Sequence, residues 1–243
     1  MWSFVFIVIV ALVVLYFSAK SKNNDTEIII GQKKEVKKIG DRIQEVLDIE
    51  ETEKKTEKEH RGIISEANKL VRGKRLKQAE KKYLSILIKD HKNSKAYLGL
   101  GNIYLEQEEY SGAAEAFKKV TELEPTNDIA FNNLGMALMK TKNYLEAVTA
   151  YEHAVALGSK LSHRYINLAL AAEKAGETKK QISALEHAVS LEPDKTEYLV
   201  ALSNVAISAD DNSAAKKALE KLVEIEPGNL DAQRKLARLQ GDS

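Results

Sequence analysis

Cysteine is absent from this chain of 243 residues. Disulfide frameworks, thiolate zinc sites, iron–sulfur clusters and cysteine nucleophiles are therefore all excluded. Proline occurs three times, glycine twelve times, and aromatics make up 6% of residues, in a chain that is 30% charged. That scarcity of turn formers and rings points to helices rather than a β-fold. Neither charge sign dominates, with 37 Lys+Arg against 36 Asp+Glu. The dominant basic field that nucleic-acid binding requires is missing, so no nucleic-acid partner is expected.

The even average conceals a divided chain. Residues 1–19, MWSFVFIVIVALVVLYFSA, carry no charge, and all but Ser3 and Ser18 are apolar. As a helix this run would be about 27 Å long, close to the thickness of a hydrocarbon core. Trp2 and Tyr16 stand near its two ends, where interfacial aromatics belong. No Lys or Arg precedes the run, and Phe17-Ser18-Ala19 is a poor cleavage site. An uncleaved transmembrane anchor is expected over a secretory signal. Lys20, Lys22, Lys33, Lys34, Lys37 and Lys38 follow it, which places the C-terminal part on the cytoplasmic side of a cell membrane as a single-pass protein.

Residues 20–59 form a connector with ten basic residues, eleven acidic ones and no proline. Val36, Ile39, Ile43 and Val46 share one helical face, and Glu50 and Glu53 then occupy the seam. Two heptads suit a charged helical spacer and make only a slight case for a homodimer.

The three prolines fall at 125, 193 and 227, separations of 68 and 34, and each follows a glutamate. Internal periodicity of this length marks a repeat architecture. On the same 34-residue grid stand Ala79, Ala113, Ala147 and Ala215, with Gln181 the one departure. Four residues later come Tyr83, Phe117, Tyr151, Leu185 and Leu219, all large. Ala67, Gly101, Gly135, Ala169 and Ser203 are uniformly small. Five units follow: 60–93, 94–127, 128–161, 162–195 and 196–229. Each reads as two amphipathic helices, with small residues where the pair approaches closely. A helix pair cannot bury its apolar face alone, so the units must stack. Residues 230–243 supply a capping helix and tail.

This pattern resembles the tetratricopeptide repeat family, most fully in NSKAYLGLGNIYLEQEEYSGAAEAFKKVTELEPTN, and the resemblance covers about 170 of the 243 residues. His91 and Ser159 stand at the proline phase, and Glu66 at a leucine phase, as departures. The resemblance implies an all-α, right-handed α-solenoid. In that family the first helices of successive units line a concave groove that holds peptides or helices. The corresponding positions carry Asn68, Asn102, Asn132, Asn133, Asn167 and Asn204, with Met136, Met139, Leu98, Leu105 and His163. Each carboxamide can both donate to and accept from an extended peptide backbone, and methionine adds adaptable apolar contact. Only Asn102 and Asn133 match the family's chaperone carboxylate clamp, so that ligand is not expected.

Charge is uneven along the repeats. Residues 60–93 hold ten basic and three acidic side chains, whereas 94–243 hold 17 and 22. Arg72, Lys74, Arg75, Lys77, Lys81 and Lys82 cluster at the first interhelical turn. Such a cluster suits anionic lipid headgroups or an acidic partner.

No catalytic constellation emerges. Gly99 and Gly101 lack the third glycine of a dinucleotide loop, and no strand precedes them. His153 and His187 share the context EHAV one unit apart, which marks duplicated surface rather than metal ligands. The expectation is a membrane-anchored scaffold or adaptor that binds a protein or peptide partner, without enzymatic activity, cofactor or metal. Its architecture also resembles the lipopolysaccharide assembly protein B family, although this chain lacks that family's cysteine-rich metal module. Three other readings fit the same repeats: an extracytoplasmic protein for envelope or secretion-apparatus assembly, an organelle import-receptor-like protein, and a regulatory subunit controlling an enzyme or protease.

Overall fold

The computed structural model describes residues 26–158 and 160–241, with side chains from Lys37 onward. The anchor expected at residues 1–19, the start of the connector and Ser159 lie outside the described residues. Among the described residues no helix is long and apolar enough to cross a membrane.

The described residues form eleven α-helices and no strand. They are α1 (Thr26–Arg72), α2 (Leu76–Lys89), α3 (Ser94–Glu106), α4 (Tyr110–Leu123), α5 (Asp128–Lys140), α6 (Tyr144–Ala156), α7 (Ser162–Ala175), α8 (Thr178–Leu191), α9 (Thr196–Ser208), α10 (Asn212–Ile225) and α11 (Leu230–Gly241). The chain divides into two units, residues 1–62 and 63–243.

The first unit contributes the highly charged part of α1. Val46, Leu47 and Ile49 are exposed there, so packing does not account for the helix. Pairs four residues apart do so instead. Gln44 donates to Asp48 (2.8 Å), while Lys54 faces Glu50 (3.5 Å) and Arg61 faces Glu57 (3.8 Å). Each such pair stabilises a helix by about 0.2–0.5 kcal/mol.

The second unit is a stack of helix pairs. Its first pair joins the end of α1 to α2, and four more follow: α3–α4, α5–α6, α7–α8 and α9–α10. Helix α11 packs on α10. The core is built from the small and large phases of the repeat. Ala79, Ala113, Ala147 and Ala215 are fully buried, and Phe117 and its equivalents Tyr83, Tyr151, Leu185 and Leu219 are buried with them. Where the large residue is Phe117 or Tyr151, the facing small residue is glycine. A Cβ on Gly101 would sit 2.7 Å from the Phe117 ring, and one on Gly135 would sit 2.8 Å from Tyr151. Burial pushes the Tyr151 hydroxyl pKa well up. Leucines 185 and 219 leave room for Ala169 and Ser203 at the same phase.

The turn inside each pair repeats as strictly as the core. Lys74, Glu108, Lys142, Gly176 and Asp210 all have positive φ, between 56° and 74°. They stand 34 residues apart, yet only one is glycine. In every case the next residue's N–H bonds back to the carbonyl five residues earlier: Arg75 to Leu70 (2.9 Å), Glu109 to Tyr104 (2.8 Å), Asn143 to Leu138 (2.9 Å), Glu177 to Ala172 (2.8 Å) and Asp211 to Ala206 (2.9 Å). This is the left-handed helix ending, which satisfies the last carbonyls of one helix and aims the chain into the next.

The glutamate before proline braces its own unit and steadies the residue that caps the next helix. Glu124 accepts from the Ser94 hydroxyl at the start of its own unit and from Asn127 Nδ2 (2.7 Å). Asn127 in turn caps α5 by accepting from the Ala130 N–H (2.9 Å). The Ser94 and Asn127 hydrogen bonds, in that order, hold the Glu124 carboxyl below its ordinary pKa. Ser162 and Glu192 repeat the first contact, while Asn229 and Glu226 (2.9 Å) repeat the second.

Candidate peptide-binding face

The first helices α3, α5, α7 and α9, with the end of α1, carry the positions proposed for ligand contact. Asn132 on α5 and Asn167 on α7 meet across the boundary between two pairs. Asn167 Nδ2 donates to Asn132 Oδ1 at 3.3 Å, and Asn132 Nδ2 reaches Asn133 Oδ1 at 3.5 Å, the limit of a hydrogen bond. Both asparagines are half-buried, and neither amide is saturated. Asn167 keeps its carbonyl and one N–H, and Asn133 keeps its donors for an incoming backbone.

The remaining asparagines are placed differently. Asn68 accepts from the Tyr83 hydroxyl (2.6 Å), and Asn204 accepts from Lys235 Nζ (2.9 Å). Asn102 is exposed. Around the central asparagines Met136 is exposed, as is His163, while Met139, Leu98 and Leu105 are half-buried. Sequence reasoning passed over Ile129, Leu170 and Val200, which the structure leaves exposed on the first helices as well. Leu170 and Val200 occupy phases that hold asparagines in other units, and Ile129 stands at the phase of His163, so the signal was present in the repeat grid. The face therefore alternates free amide groups with exposed apolar side chains. That combination suits an extended polypeptide, whose backbone needs hydrogen bonds and whose side chains need apolar contact.

An ion pair links the same two helices, α5 and α7. Arg164 on α7 has only 8% of its side chain exposed and pairs through Nη1 with Asp128 at the start of α5.

The basic cluster is not one patch. Lys74 pairs with Glu106, and Lys82 pairs with Glu66 at 2.9 Å. Arg72 and Arg75 are exposed at the turn, and Lys77 and Lys81 project outward from α2.

A cavity of about 550 Å³ opens between second helices α4 and α6. Phe131, Leu134 and Leu138 floor it, with Glu122 and His153 on its walls. His153 stacks on Phe131 (4.9 Å between centroids), and His187 stacks on Tyr165 (5.2 Å) one unit later. The two histidines thus serve a duplicated packing contact. Among the described residues no group of three or more His, Asp or Glu side chains could hold a metal ion.

Comparison with known proteins accords with this geometry. The family model described as TPR repeat matches residues 101–142, and the one described as tetratricopeptide repeat matches 129–157, 162–195 and 196–229. No curated protein matches the sequence. Among solved structures, YrrB, described as a TPR protein with an unusual peptide-binding site, is 23% identical. It aligns over 71% of this chain and 89% of its own, with a TM-score of 0.59. MamA 41-end from Desulfovibrio magneticus RS-1 is 23% identical over 70% of this chain and 97% of its own, with a TM-score of 0.58. Pseudomonas aeruginosa pilF is 17% identical over 77% of this chain and 85% of its own, with a TM-score of 0.53. At these identities the likeness is one of fold. Repeat grid, helix pairing and family matches agree: this chain belongs to the tetratricopeptide repeat family.

Proposed function

We propose that the chain is a non-catalytic adaptor that holds an extended segment of a protein partner along its first helices, with residues 1–19 anchoring it in a membrane and the repeats on the cytoplasmic side. The observation that carries the binding assignment is the contact between Asn132 and Asn167. It links the ligand-facing rows of two successive units and leaves unsatisfied amide groups beside exposed Ile129, Met136 and Leu170. The charge pattern after residue 19 supports the membrane assignment and its orientation.

The absence of cysteine supplies the test. A thiol introduced as Met136→Cys is unique in the chain and can carry a benzophenone photo-crosslinker. Peptides selected from a random library by the full chain should crosslink from position 136. They should not crosslink from Glu122→Cys, which stands on the wall of the cavity between α4 and α6. Crosslinking from position 122 alone would move the ligand to that cavity and sink the assignment.

A further inference from the structure

Helix α2 presents an outward stripe unlike that of any other second helix. At 100° per residue, Lys77, Lys81, Leu84 and Ile88 fall within a narrow arc, opposite the buried Ala79, Tyr83 and Ile86. Ile88 is 86% exposed and Leu84 is 40% exposed. In the other four units the phase of Leu84 holds Lys118, Glu152, Glu186 and Glu220. The phase of Ile88 holds Glu122, Ala156, Ser190 and Glu224. Nothing in the repeat architecture therefore calls for apolar residues there. Among the described residues neither Lys77 nor Lys81 has an ion-pair partner. The one acidic residue of α2, Glu80, is half-buried and accepts from the Tyr104 hydroxyl (3.3 Å). Arg72 and Arg75 add two exposed cations at the turn that leads into the helix.

We propose that this stripe docks α2 onto an anionic lipid surface, with Ile88 and Leu84 entering the interface and Lys77 and Lys81 lying at headgroup level. Charge complementarity selects the occupant. Two unpaired lysines in line with two exposed aliphatics form the amphipathic pattern that anionic bilayers attract, and the lysine stems lie along the apolar boundary with their ammonium groups in water. Each lysine near such a surface contributes about 1 kcal/mol, so losing one lowers the docked-to-undocked ratio about five-fold. The contact is separate from the peptide-binding face and does not depend on insertion of residues 1–19.

The test uses the full chain reconstituted with vesicles, bearing a single environment-sensitive fluorophore at Ile88→Cys. The control places it at Ser190→Cys, the same phase three units on. With vesicles containing phosphatidylglycerol, emission from position 88 should shift to the blue and be quenched by lipid-borne nitroxide. Emission from position 190 should not. With phosphatidylcholine alone, or with Lys77→Ser and Lys81→Ser together, the position 88 shift should be lost. Emission from 88 that stays at its aqueous value on anionic vesicles overturns the proposal. So does a blue shift without lipid that grows with protein concentration, since a second copy would then cover the stripe.

Discussion

Phe117→Ala should lower stability by about 3–5 kcal/mol, the cost of emptying a fully buried aromatic site. Phe117 has no exposed surface, and its ring lies against Gly101 at a distance that leaves no room for a Cβ. The neighbouring backbone cannot close the gap, because α3 and α4 are also held by the turn at Glu108 and by the Ser94–Glu124 contact. The fourth pair shows the compensated form, Ala169 facing Leu185. Gly101→Ala alone should cost about 1–3 kcal/mol by overpacking. Gly101→Ala combined with Phe117→Leu should cost clearly less than the two single changes added together. Urea unfolding followed by circular dichroism measures this cycle. Strict additivity would show that the two positions do not share a packing site. Because stability in a stack is a sum of nearest-neighbour terms, Phe117→Ala should also split the transition, with pairs on the C-terminal side melting later.

Asp128→Ala is the second large effect. Removing one partner of a buried ion pair costs about 3–5 kcal/mol, because the other charge remains buried without compensation. Asp128 is 38% exposed while Arg164 is 8% exposed. Water can therefore reach the vacated site, and the expected loss falls to about 2–3 kcal/mol. Asp128→Ala with Arg164→Met should recover most of it, since the guanidinium is then replaced by an apolar side chain of similar length. A double variant no more stable than Asp128→Ala would mean that the cost lies at the start of α5, where the Asp128 carboxylate also faces the positive helix end.

The repeat was legible because its packing requirements are local in phase. A small residue at 101 or 135 and a large one sixteen positions later can be read without coordinates. The interhelical turn was not legible. Its left-handed residue is Lys74, Glu108, Lys142 or Asp210 in four of five units, and only Gly176 advertises the conformation. The geometry there is imposed by the helices on either side, which override the preference of the residue itself. The run from connector into first unit was equally hidden: α1 passes residues 59 and 60 unbroken, with no proline or cap residue to end it.

The candidate site divides along the same line. Which asparagines share the ligand-facing rows follows from the phase. That Asn132 touches Asn167 while Asn68 is claimed by Tyr83 and Asn204 by Lys235 depends on contacts between units, and phase does not encode those. Similarly, a charge count groups Lys74 and Lys82 with Lys77 and Lys81. Only the fold shows that the first two are paired with Glu106 and Glu66, and that Leu84 and Ile88 complete the outward stripe.

The most direct measurement is the affinity of a library-selected peptide for the full chain and for the Asn132→Ala, Asn167→Ala double variant, with helicity and melting recorded alongside. A hydrogen bond to an extended ligand contributes about 1 kcal/mol, so loss of two amide side chains should weaken binding roughly 10- to 30-fold. Helicity should be unchanged. Undiminished affinity in a folded double variant would contradict the assignment of the first helices as the peptide-binding face.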